Sequence, residues 1–147
     1  MDPKADFIQR FNSEVLHSSL SLAQEARALL VAHACFESGY GTSKAWKHGF
    51  NFGNLTAGPS WHGLIFRDVN GDTDYDKNGK YLGRITQDWR VYPSVDAALA
   101  DYWRLLGWPR YIRARLALTM GDLARFCHEL GPSAGPGYGG YYTLPEK

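Results

Sequence analysis

Glu37 follows His33 by four residues, so on a helix the two side chains share one face. Around them Leu22, Ala26, Leu29, His33 and Phe36 recur at helical spacing, which predicts a buried stripe. Gly39 and Gly41 come next and should stop the helix, leaving Glu37 in its last turn. There the negative end of the helix macrodipole disfavours a carboxylate. Burial also disfavours the charged form. A carboxylic acid kept protonated near neutral pH can hand its proton to a leaving oxygen, as glycoside hydrolysis requires. The plainer alternative is a glutamate that curls into solvent at a fraying helix end.

A second acidic group is on offer further along. The stretch DVNGDTDYDKNGK carries Asp68, Asp72, Asp74 and Asp76. Asp74, Asp76, Asn78 and Gly79 also match the opening of a calcium loop. The glutamate such a loop needs at its twelfth position is replaced by Ile85, and a solvated turn is the commoner reading. His33, His48 and His62 lack metal-ligand spacing. Neither metal nor cofactor is therefore expected. Cys35 and Cys127 sit among apolar neighbours in helical pattern and read as buried thiols. No Ser-His-Asp set, Cys-His pair or phosphate-binding glycine loop is recognisable.

The elements that must position these groups are legible in outline. Asp2-Pro3 reads as an N-cap and first helical proline, opening a helix with Phe7, Ile8, Phe11 and Val15. Ser21 and Gln24 have the form of a capping box before the helix of Glu37. Residues 42–63 read as irregular loop. Leu64–Phe66 and Trp89–Tyr92 are β-prone and flank the aspartate-rich stretch, which predicts a hairpin with a long tip. Helical pattern returns with Ser94 as N-cap before Ala97, Leu99, Tyr102 and Leu105. Pro109 can start a helix through Tyr111, Ile112 and Leu116, and Thr119 with Asp122 can cap a last one carrying Leu123, Phe126 and Leu130. The tail, GPSAGPGYGGYYTLPEK, holds too much glycine and proline for regular structure.

The chain of 147 residues is the size of one domain, 1–147, with a β-rich insertion at about 64–92. Its net charge of +1 supplies no strong field for nucleic acid or an anionic membrane, so a neutral partner is the easier expectation. No apolar run reaches the ~18 residues of a membrane span. The N-terminus, MDPKADFIQRF, lacks the pattern of a signal peptide. Aromatic residues make up 14% of the chain, more than a small core needs, and rings in excess can stack on sugars or bases.

The stretch AHACFESGYGTSKAWKHGFNFGN resembles the signature of glycoside hydrolase family 73, the N-acetylglucosaminidases of autolysins, flagellar hydrolases and phage lysins. That pattern is a helix ending in ALESGWG(K/R)S, a loop NNLFGIKA, a β-hairpin, and an FRxY strand before a helix. Ala34–Ser43 reads ACFESGYGTS, Asn51-Phe52-Gly53 stands for the loop motif, and DWRVYPSVDAALADYWRLL at 88–106 matches the last block. The resemblance implies an α+β, mainly α, lysozyme-like body with a β-hairpin lobe and a substrate groove between them. It implies hydrolysis of β-1,4 bonds of peptidoglycan glycan strands after N-acetylglucosamine, with Glu37 as general acid. The family's second acid lies on the hairpin in a T-E-Y setting, so Thr73-Asp74-Tyr75 nominates Asp74, with Asp76 next. The departure from Glu to Asp leaves that choice open.

A supporting tyrosine in a D-P-N-Y context corresponds to Tyr138, with Tyr141 and Tyr142 close enough to be confused with it. Trp61 matches a recurrent SW, and Tyr40, Asn51, Phe52 and Asp76 complete the expected substrate-binding set. His33 stands where the family usually has Gln. A monomer acting on the bacterial cell wall is implied. The lack of a signal peptide would suit a phage endolysin released by a holin, or a virion-associated bacteriolytic component. Two rivals remain at this stage: a lytic transglycosylase, which uses one glutamate and no water, and a noncatalytic wall-binding or tail-structural module.

Overall fold

A computed structural model describes residues 1–76, 78–131 and 134–141. The order of elements is α1 (Pro3–His17), α2 (Gln24–Ser38), α3 (Lys44–Gly49), β1 (Ile65–Tyr75), β2 (Tyr81–Arg90), α4 (Val95–Leu106), α5 (Ile112–Thr119) and α6 (Leu123–Leu130). The fold is thus mainly helical with one antiparallel hairpin. Asp2 caps α1 by accepting from the Lys4 amide, with Pro3 at the first helical position. Ser94 caps α4 as its spacing predicts, whereas Asp122 caps α6 without Thr119, which is the last residue of α5 and donates to the Arg115 carbonyl. The capping box expected before α2 does not form. Its N-cap is Ala23, without a side-chain bond, because the helix starts directly at Gln24.

The core gathers Phe11, Leu30, Phe52, Leu99, Tyr102, Leu106, Leu118, Phe126 and Leu130, all fully buried. Phe52 stands 5.0 Å by ring centroid from both Phe11 and Tyr102, so one loop residue joins α1 to α4. Burying each such side chain contributes roughly 1.5–3 kcal/mol. Phe36 breaks the expected stripe: it is 76% exposed, because the buried face of α2 is set by Ala26, Leu29, Leu30, His33 and Ala34.

Two further differences bear on the site. Within the expected loop 42–63, Ser43 accepts from the Trp46 amide and starts the short helix α3. Six residues are too few for a periodic signal, so only the cap could have announced it. The hairpin strands also run far into the turn-rich stretch, leaving only residues 76–80 as the tip. Cross-strand pairing overrides the poor strand propensity of Asp and Gly here. Irregularities are absorbed between Asp68 and Asp72, where Asn70 takes a left-handed φ of 53°, and between Asp74 and Tyr75.

Candidate active site

Glu37 occupies the last turn of α2, with Gly39 in the left-handed region at φ 56° as its C-cap. No basic side chain sits in that turn to offset the dipole. The carboxyl is half-buried. Asn54 reaches it from the following loop: its Nδ2 donates to the Glu37 main-chain carbonyl at 2.7 Å and to Oε2 at 3.0 Å. One amide thus fixes both the helix end and the carboxyl. Asn54 itself adopts φ 51°, a conformation asparagine tolerates better than most residues.

The loop that presents Asn54 is built from the residues expected to touch substrate. Asn51 and Phe52 are each only 1% exposed, so their side chains face the interior and not a ligand. The Asn51 carboxamide closes the loop on itself. Its Oδ1 accepts from the Leu55 amide, and its Nδ2 donates to the carbonyls of Leu55 and Arg90. The structure thus shows this pair shaping the loop from within, and Asn54 is the residue that sequence reasoning missed. Its only signal was a second asparagine directly after Asn-Phe-Gly.

Tyr141 locks the same loop from the other side, donating its hydroxyl to the Gly53 carbonyl. A Cβ on Gly53 would stand 2.8 Å from that hydroxyl oxygen, which explains glycine there. The Tyr141 ring also lies 5.6 Å from His33, one turn before Glu37. His33 is enclosed by Tyr102, Phe126 and Tyr141, and burial pushes its pKa down to about 3. It is a neutral packing residue beside the acid. Tyr138, the tyrosine nominated by spacing, instead has the Arg113 guanidinium 4.7 Å over its ring. Tyr142 lies outside the described residues.

The hairpin is fastened beside this loop. Phe66 stacks on His48 at 4.1 Å, and Lys44 pairs with the buried Asp68 at 2.8 Å. Register puts Phe66, Asp68, Asp72 and Asp74 opposite Trp89, Gln87, Ile85 and Gly83, and the first two face α3. Asp74 lies about 13 Å farther out than Asp68, counting four residues along β2. Asp76 is occupied otherwise: its Oδ1 accepts from the amides of Asn78 and Lys80 and holds the tip in an Asx turn. At the base, Arg90 of β2 donates to the Thr56 carbonyl and to Asp101 at 2.6 Å, and stacks on Trp61. Tyr92 also donates to Asp101, whose burial would raise its pKa, but bonds from Tyr92, Arg104 and Arg90 hold it below the usual range. Trp61 further donates to the Leu64 carbonyl and packs on Tyr92, so one ring face is already used. Tyr40, at φ 55°, lies at the other edge with Lys4 over its ring, lining two grooves of about 640 and 400 Å³ against α1. Glu37 lines neither, being on the opposite side of α2 from Val31 and Cys35.

The family model described as "Glucosaminidase: Mannosyl-glycoprotein endo-beta-N-acetylglucosaminidase" matches residues 20–140. Among solved structures, the chain is similar to a C-terminally truncated glycoside hydrolase domain from Salmonella typhimurium FlgJ, with 27% identity, TM-score 0.57, and coverage of 92% of this chain and 89% of that one. It shares the fold of the catalytic domain of the autolysin Auto from Listeria monocytogenes, at 14% identity and TM-score 0.63, covering 92% of this chain and 77% of that one. It also shares the fold of a peptidoglycan hydrolase mutant from Sphingomonas sp. A1, at 22% identity and TM-score 0.52, covering 86% and 84%. No curated protein sequence matches at a significant level. The match spans every element from α2 to α6, together with Glu37 and the hairpin, and the chain belongs to the glucosaminidase family as a glycoside hydrolase of the endo-β-N-acetylglucosaminidase type.

Proposed function

We propose that the enzyme hydrolyses peptidoglycan, cutting β-1,4 bonds after N-acetylglucosamine in the glycan strands of the bacterial cell wall. The observation that carries this reading is Glu37, half-buried at a helix C-terminus with its carboxyl held by Asn54. In this reading Glu37 protonates the glycosidic oxygen as positive charge develops on the sugar. Asp74, near the end of β1, steadies that charge or serves as base for water once glycan draws the hairpin in. Asp76 holds the tip that carries it. Tyr40 and Trp61 flank the path of the strand, and Tyr138 marks its C-terminal border. Residues 1–147 act as one catalytic unit and as a monomer. The solved structures named above come from bacteria, and nothing in them favours a phage source.

Turbidity loss of purified sacculi tests this, with wild type and Glu37→Gln compared and the fragments weighed by mass spectrometry. Clearing by wild type alone, with reducing N-acetylglucosamine ends, is the expected result. Products with 1,6-anhydro rings would make the enzyme a lytic transglycosylase. An inert wild type that still binds sacculi would make it a wall-binding module.

A further inference from the structure

The helix α5 is apolar on two sides. Ala114, Ala117 and Leu118 face the core, yet between Arg113, Arg115 and Thr119 the outer side carries an apolar line: Ile112 is 38% and Leu116 53% exposed, and Met120, the C-cap, 67%. Trp108 just before the helix and Leu123 just after it extend this exposed strip. A helix buried by one face normally turns charge to the solvent with the other. Ile112, Leu116 and Leu123 carry the helical pattern in the sequence, and the structure turns all three outward.

Within the segment that forms the strip the charges have one sign, and the acids come from neighbouring elements. From Tyr102 to Gly121 the only charged side chains are Arg104, Arg110, Arg113 and Arg115. Arg113 and Arg115 lie on either flank of the Ile112–Leu116 line, given the turn of the helix. Arg115 is braced over the Trp103 ring at 4.2 Å, and Arg104 is 5.6 Å from Trp108. Arg104 and Arg113 are partly neutralised by Asp101 and Glu129, whereas no ion pair is formed by Arg110 or Arg115 among the described residues. The acids nearest the strip, Asp122 and Glu25, stand at its far edge by Gly121, and Asp122 is engaged in capping α6. The overall net charge of +1 conceals this local excess.

We propose that the α5 surface docks on a lipid bilayer bearing anionic headgroups. The apolar strip would enter the acyl boundary, while Arg110 and Arg115 meet phosphate at headgroup level. Exposed apolar side chains are what distinguish a bilayer from a free anionic polymer, which would engage the arginines alone. No helix in the described residues is long and apolar enough to cross a membrane, so the attachment is peripheral. It is independent of the reading of Glu37.

Co-sedimentation with vesicles of phosphatidylglycerol mixed into phosphatidylcholine, against phosphatidylcholine alone, tests it on the whole chain. The protein should pellet with the mixed vesicles and stay in solution with the neutral ones. Leu116→Ser with Met120→Ser, both exposed and so compatible with folding, should weaken binding about tenfold, and Arg110→Gln with Arg115→Gln likewise. The matching Arg→Lys pair should retain most of it, and melting curves should show all variants folded. Equal binding to neutral vesicles, no binding to either, or unaltered binding by the Leu116 and Met120 variant would overturn the idea. So would a dimer in analytical ultracentrifugation that those two substitutions dissolve, since the strip would then be covered by a second copy.

Discussion

Asn54 donates through a single nitrogen to both the carbonyl and the carboxyl of Glu37, at 2.7 and 3.0 Å. This makes the orientation of the acid depend on a loop conformation and not on the helix alone. Because Asn54 sits at φ 51°, alanine there would confound backbone strain with loss of the donor. Asn54→Gly keeps the backbone accessible and deletes only the amide. A hydrogen bond of this kind is worth roughly 1–2 kcal/mol, so kcat should fall about five- to thirtyfold with KM little changed. Steady-state kinetics on a soluble glycan fragment reads both. An unaltered kcat would show that the carboxyl needs no such support.

Gly53, immediately before it, is the closest approach between the loop and the tail. Any Cβ there would press on the Tyr141 hydroxyl at 2.8 Å and the Tyr102 ring at 3.1 Å. Gly53→Ala should therefore cost about 1–3 kcal/mol of stability through overpacking. Tyr141→Phe should cost only about 1 kcal/mol, the net value of its bond to Gly53. Urea titrations of the two variants separate these, and the reverse order would show that the tail, not the loop, yields.

His33 gives the fold an acid limit that can be measured. Its folded pKa of about 3 lies below the ordinary value of 6.5, because burial penalises the imidazolium. The unfolded chain therefore binds more protons in that window, and stability rises with pH. The contribution is full above about pH 6.5 and is lost as the pH falls toward 3, at up to roughly 1.4 kcal/mol per pH unit. His33→Gln should flatten that part of the profile in denaturant titrations across pH. An unaltered slope would assign the acid sensitivity to other groups.

Asp101 is the hub that joins the hairpin base to α4. It accepts from Arg90, Tyr92 and Arg104, and both it and Arg90 are nearly buried, at 11% and 8% side-chain exposure. Removing the acid strands a buried guanidinium, so Asp101→Ala should destabilise by about 3–5 kcal/mol. A fall in Tm beyond that of a surface change such as Asp96→Ala would confirm it. A loss below ~1 kcal/mol would mean that water or the Thr56 carbonyl already satisfies Arg90.

Much of this arrangement could be read from residues alone, because its signals are local. The caps at Asp2 and Ser94 and the glycine stop after Glu37 each rest on neighbouring residues, and each is found in place. What failed depends on partners distant in sequence. The aspartate-rich stretch pairs as strand only because β2 lies alongside, and Phe36 and Leu116 point outward only because other elements claim the opposite faces. Asn54 was missed beside Asn51 for the same reason. Both stand in one short polar loop, and only contacts to Arg90 and Glu37, 39 and 17 residues away, tell the positioning residue from the one beside the acid.

The hairpin acids can be told apart by what their carboxylates already do. Asp76 accepts from the amides of Asn78 and Lys80, at 2.8 and 2.9 Å, and asparagine can accept through the same oxygen. Asp76→Asn should thus leave both melting temperature and activity close to wild type, whereas Asp76→Ala should loosen the tip by about 1–2 kcal/mol. Asp74 sits one residue from the end of β1, opposite Gly83. If it supplies the second charge, Asp74→Asn should lower kcat at least about a hundredfold with stability unaltered, since general acid–base groups contribute ~10²–10⁴. Sacculus clearing and thermal melts of the three variants decide the matter. Full activity in Asp74→Asn, with loss in Asp76→Asn, would move the role to the tip. Full activity in both would leave the second step to the substrate's own N-acetyl group, with Glu37 as the sole protein acid.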